Sequence, residues 1–173
     1  SDNILLTAYA GAGKTFVALN LMIQILEDKS KRVIFVARNH ALAMSVAKWV
    51  GKRCQGSAKR KALLSRLHLM FTPFDEGARE VELVDGTLIT KPAAAGLHYS
   101  LQVIDEAHHI YGEEALRRAV DDCDCTRRVL LSDISQGLVS DINFPQDLKV
   151  VTLTEVVRSS KRVVAGAMKF QLK

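Results

Sequence analysis

Between Lys29 and Phe74 this chain has no aspartate or glutamate, although the same stretch carries eleven lysines and arginines. Acidic residues return at Asp75, and the segment to Cys125 turns acidic. A segregated basic segment suits a polyanion such as nucleic acid, and it equally suits a solvated face that keeps the protein soluble. No apolar run is long enough to cross a bilayer. No signal peptide precedes the first strand, and the abrupt start suggests an excised fragment. Three cysteines (Cys54, Cys123 and Cys125) are too few for a disulfide framework, which favours a reducing, intracellular compartment, cytoplasmic or nuclear. Cys123 and Cys125 lie too close together for a zinc knuckle, with no paired Cys/His cluster elsewhere, so DDCDC reads as a polar turn before a strand. Internal repeats, low-complexity tracts and linkers are also absent. At 173 residues, 48% of them hydrophobic, the chain fits one domain with a sizeable core.

What is present begins at Asn3. A short apolar run, Ile4 to Leu6, stops at AYAGAGKT, and the following FVALNLMIQILEDK has helical spacing. Strand, glycine-containing loop and helix are the context in which a phosphate-binding loop is expected. Glycines at 11 and 13 permit a backbone path that a Cβ resists. The loop N–H groups, from Ala10, Gly11, Ala12 and Gly13 to Phe16, would wrap the phosphates of ATP, aided by the helix N-terminus. Lys14 would reach the β- and γ-phosphates, and the Thr15 hydroxyl would ligate Mg²⁺. The strict pattern begins with glycine, where this chain has Ala8, a small residue that departs least from it.

Further on, a strand VIFVA (33–37) precedes a helix through RNHALAMSVAKWVGKR, and a basic helix is expected over 54–66 before the strand LHLMF. VELVDGTLIT reads as a hairpin about an Asp85–Gly86 turn, an edge insertion near 80–91. LQVI (101–104) is a buried strand ending in Asp105 and Glu106, with helix EEALRRAV after it. RRVLLS (127–132) leads into DISQ, LKVVTL (148–153) is the last strand, and SSKRVVAGAMKFQLK closes as a basic amphipathic helix. The alternation predicts an α/β fold, a mostly parallel sheet with helices on both faces. In such sheets ligands bind at the carboxyl ends of the strands, so Asp105 and Glu106 should face the phosphate loop. Asp105 would hold Mg²⁺ and Glu106 would orient or deprotonate the attacking water. Asp133 and Gln136 should emerge at the same edge, where an amide can sense a γ-phosphate. Arg158 follows the last strand and suits charge neutralisation on a transferring phosphoryl group.

The ordered set AYAGAGKT, VIFVARNHALA, VIDEAH, SDISQ and LTEVVRSSKRVVAGA resembles motifs I, Ia, II, III and IV of superfamily 1 helicases, and most resembles the helicase-like ATPase domain of the Schlafen group. The likeness runs from Ala8 to about Phe170 and implies a RecA-like P-loop lobe over residues 1–173. It implies that Lys14, Thr15, Asp105 and Glu106 bind MgATP and support hydrolysis. Gln136 would couple the γ-phosphate to RNA or DNA, and Arg158 would match the motif IV arginine. Arg38, Asn39 and His40 would touch the nucleic-acid backbone. Motif III normally starts with glycine, where this chain has Ser132. The likeness also implies a second RecA-like lobe beyond residues 155–173, without which hydrolysis would be slow and translocation absent. A regulatory ATPase switch, controlling assembly or a partner without unwinding, is the other reading the motifs allow.

Overall fold

The computed structural model describes residues 3–9, 13–133 and 142–153. Eight strands form one sheet in the order β5-β4-β3-β2-β6-β7-β1-β8. They are β1 (Asn3–Ala8), β2 (Val33–Ala37), β3 (Leu67–Phe71), β4 (Arg79–Val84), β5 (Thr87–Pro92), β6 (Tyr99–Ile104), β7 (Cys125–Asp133) and β8 (Leu148–Leu153). From β3 through β2, β6, β7 and β1 to β8 every pairing is parallel, and the β4–β5 hairpin adds two antiparallel strands at one edge. The hairpin turns at Asp85 and Gly86, both at positive φ (49° and 78°), the geometry that a two-residue Asp-Gly loop supplies.

Among the described residues five helices cover the sheet: α1 (Lys14–Leu26), α2 (His40–Lys52), α3 (Ser57–Leu64), α4 (Ala107–Gly112) and α5 (Glu114–Asp121). The strand pleat divides the core in two. Val33, Phe35 and Ala37 of β2 join Leu101 and Val103 of β6 on the face covered by α1, α2 and α3. Ile34, Val36 and Ile104 point the other way, with Ile110, Tyr111 and Val120 of α4 and α5. Continuous apolar runs in β2 and β6 are what burial on both faces requires. Two polar groups that enter this core are paired: His68 Nδ1 lies 2.7 Å from Tyr99 Oη, and Gln102 donates to the Val120 carbonyl while accepting from Arg128 Nε.

Several sequence boundaries shift. The helix expected over 54–66 contracts to α3, because Gly56 at positive φ (89°) breaks the chain just before it. β7 starts at Cys125, so that cysteine belongs to the strand and only Cys123 stays in the turn. α4, a short helix directly after Glu106, was not expected. The closing helix over 159–173 lies outside the described residues. Among the described residues no helix is long and apolar enough to cross a membrane.

Phe35, with no exposed surface, sits at the centre of the larger core cluster. Phe35→Ala should cost about 3–5 kcal/mol, read as a lower denaturant midpoint at unchanged m-value.

Candidate nucleotide site

The strand order decides which side chains meet. β6, β7 and β1 are adjacent and parallel, so their carboxyl ends open on one edge, with β7 between the other two. In register, Ala8 of β1 lies beside Asp133 of β7. Ala8 is fully buried in regular strand, a place where glycine has no conformational advantage, and this accounts for alanine at the first position of the loop pattern. Gly13 is different. It takes φ 92° and ψ 20° as the N-cap of α1, a left-handed conformation that side-chain-bearing residues resist. No side chain caps α1, so its first turn presents open backbone N–H groups of the kind that bind anions.

Lys14, Thr15, Asp105, Glu106, His108, Ser132 and Asp133 line one cavity of about 200 Å³ at this edge. The α1 start and the acidic ends of β6 and β7 therefore converge. Lys14 is less open than a free lysine. Its side chain is only 11% exposed and its Nζ forms an ion pair with Asp133 Oδ1. Asp105 accepts the Glu106 backbone N–H at 2.9 Å, and its own N–H donates to the Val36 carbonyl at 3.0 Å. Burial pushes the Asp105 carboxyl above the usual carboxylate range, and the neighbouring Glu106 and Asp133 charges push the same way. The Glu106 N–H bond and Lys14 oppose them. Glu106 holds φ 47°, ψ 48°, a conformation uncommon for a residue with a side chain, and such residues concentrate at functional sites. Its carboxylate reaches Arg38 Nη1 at 3.5 Å. His108 shares its Nδ1 with Ser132 Oγ at 3.2 Å, and burial lowers its pKa.

The residues expected to touch nucleic acid separate. Asn39 is the N-cap of α2, its side chain accepting the Leu42 N–H at 2.8 Å. Arg38 is turned toward Glu106, and His40 stacks edge-on against Phe71 at 5.1 Å. Phe16 packs edge-on against Trp49 of α2 at 6.3 Å, tying α1 to its neighbour. Ala10, Gly11, Ala12, Gln136 and Arg158 lie outside the described residues. Sequence reading placed Asp133 at this edge without finding its Lys14 partner, and assigned no role to Ser132 or His108. The signal for Asp133 was its place at the end of a strand whose neighbour could not be known before the strand order was.

The family described as type III restriction enzyme, res subunit, matches residues 1–132, most of the chain. The chain belongs to that family. No curated protein matches it. Among solved structures, the helicase domain of Hef from Pyrococcus furiosus superposes with a TM-score of 0.51 at 17% identity, covering 88% of this chain. The chain spans 35% of that structure's length. The likeness shows the fold alone, that of a helicase RecA-like domain.

Because Asp105 is harder to ionise when folded than unfolded, its contribution has a definite sign. It favours the fold most at pH below the unfolded carboxylate range, and that contribution is lost as pH rises through the raised folded value. Asp105→Asn should therefore raise the melting temperature at neutral pH. The gain should vanish when melts are repeated near pH 3, where both forms are neutral at this position.

Proposed function

We propose that this chain is the ATP-binding and ATP-hydrolysing lobe of a nucleic-acid-dependent motor. The supporting observation is the convergence of Lys14, Thr15, Asp105, Glu106 and Asp133 on one small cavity beside an uncapped helix start. Lys14 would leave Asp133 for the β- and γ-phosphates, which carry more charge and suit the same ammonium. The loop N–H groups of 10–13, with those of Lys14, Thr15 and Phe16, would cradle the triphosphate. Glu106 would orient the attacking water and accept its proton. Gln136 would sense the γ-phosphate, and Arg158 would neutralise charge on it from the side of the second lobe.

The donor set fits a hard cation. A hydroxyl (Thr15) and a carboxylate (Asp105) are oxygen ligands of the type Mg²⁺ takes, with its remaining positions left to phosphates and water. Bound there, Mg²⁺ would supply charge neutralisation on the transferring phosphoryl group. Its presence would also offset the burial that chiefly raises the Asp105 pKa, and the neighbouring Glu106 and Asp133 charges that add to it.

The finer assignment to superfamily 1, with a Schlafen-like motif set, rests on the order of the five motifs. Nucleic acid, RNA or DNA, is the partner that the acid-free segment 29–74 suits. A second RecA-like lobe would complete the site and convert closure into movement. A regulatory switch without unwinding is the alternative, and Arg38 favours keeping it in view. A cation expected at nucleic acid instead touches Glu106, so occupancy of one site would alter the other.

Two variants test the chemistry. Lys14→Ala should abolish ATP binding by isothermal titration, at least a hundredfold loss, or about 2.7 kcal/mol. Binding at wild-type affinity would remove Lys14 from the phosphate site. Glu106→Gln should leave ATP affinity within about threefold while turnover in a two-lobed protein falls about 10²–10⁴-fold, the range for loss of a general base. Normal turnover would exclude Glu106 from that role.

A further inference from the structure

A groove of about 750 Å³ runs between α2, α3 and the β4–β5 hairpin, on the sheet face away from α4 and α5. Its cations are Lys48 and Lys52 of α2 and Arg60 of α3, with His40 beside them, and among the described residues no acid lines it. Lys48 and Lys52 are one helical turn apart, so they stand on one face of α2. Both are exposed, and neither has an ion-pair partner among the described residues. Arg60 is held in place, donating from Nε to the Gly51 carbonyl at 2.9 Å and from Nη2 to that of Cys54 at 3.3 Å.

The other wall explains why the groove lacks acid even though the hairpin carries two glutamates. Strand alternation separates them. Leu83 and Leu88 are cross-strand partners that line the groove. Glu80 and Glu82 take the opposite face of β4, where Lys91 pairs with both at 3.7 and 3.5 Å. Met44 and Leu64 continue the apolar lining. The result is a trough with a cationic rim and an apolar floor.

We propose that this groove binds a short run of single-stranded nucleic acid, with phosphates along Lys48 and Lys52 and bases over the apolar floor. The rim chemistry calls for a polyanion. The floor discriminates further, because a duplex hides its base faces whereas a single strand can lay them on apolar surface. Of the residues expected to contact nucleic acid, only His40 belongs to this groove, so the contact runs down α2 and does not end at the β2–α2 turn. The inference rests on the nucleic-acid reading of the chain for its class of ligand, but not on nucleotide hydrolysis.

The test uses fluorescence anisotropy of a labelled single-stranded oligothymidylate, titrated at several salt concentrations with no nucleotide present. Lys48→Glu/Lys52→Glu is compared with Lys29→Glu/Lys59→Glu, an equal charge change at exposed positions that line a different cavity. The groove pair should weaken binding by about tenfold or more and flatten the log–log salt slope by about 1.4, two single-strand phosphate contacts. The matched pair should change affinity by less than about threefold, as diffuse charge alone does, and a duplex of equal length should bind more weakly. Equal losses in both pairs, no loss in the groove pair, or tighter binding of the duplex would each overturn the groove assignment. If the unaltered chain binds no oligothymidylate, the nucleic-acid reading falls with it. Retained ATP binding in the groove pair shows that it is folded.

Discussion

Where the Lys14 ammonium goes governs the whole carboxyl edge of β6, β7 and β1. It sits at the start of α1, pointing into a cavity that three carboxylates share, and its partner is Asp133 at the end of β7. Two features of the fold impose this. Ala8 and Asp133 are register partners, so the loop leaves β1 beside that carboxylate. The left-handed turn at Gly13 then brings the next residue back over the strand ends. A charge-assisted hydrogen bond is worth about 1.5–3 kcal/mol net, so under the proposed function a triphosphate would have to outcompete Asp133 for the lysine. Asp133 thus keeps the ammonium compensated while no phosphate is present.

Around that pair the molecule separates its charges. The acids Asp105, Glu106 and Asp133 gather at the carboxyl ends of β6 and β7, and their mutual repulsion with burial lifts the Asp105 pKa. Such an edge is poorly balanced by one lysine and is well suited to a cation arriving with phosphates. The unopposed cations lie elsewhere, along α2 and α3, where the hairpin turns its leucines inward and its glutamates away. Arg38 and Glu106 connect the two regions through a half-exposed pair, 3.5 Å apart. A surface pair of this kind is worth at most about 1 kcal/mol, weak enough for either ligand to displace.

Most of the fold could be read from the residues because the strands are either continuously apolar, as in VIFVA and LQVI, or bounded by strong turn signals such as Asp85–Gly86. Chain order alone could not reveal that β7 lies between the strands carrying the two nucleotide motifs. That single fact makes Asp133 the partner of Lys14 and puts Ser132 against His108. Nor could it separate Asn39, whose amide serves a helix end, from His40, which opens the groove. Both sit in one tripeptide, and only the path of the backbone distinguishes their surroundings.

The most direct measurement of the central claim is ATP affinity, with Mg²⁺, for the unaltered chain and for Asp133→Asn. If Asp133 occupies Lys14 in place of phosphate, removing its charge should tighten ATP binding about tenfold, equivalent to about 1.4 kcal/mol. Weaker binding, or none, in Asp133→Asn would mean that this carboxylate helps hold the nucleotide, and would contradict the account.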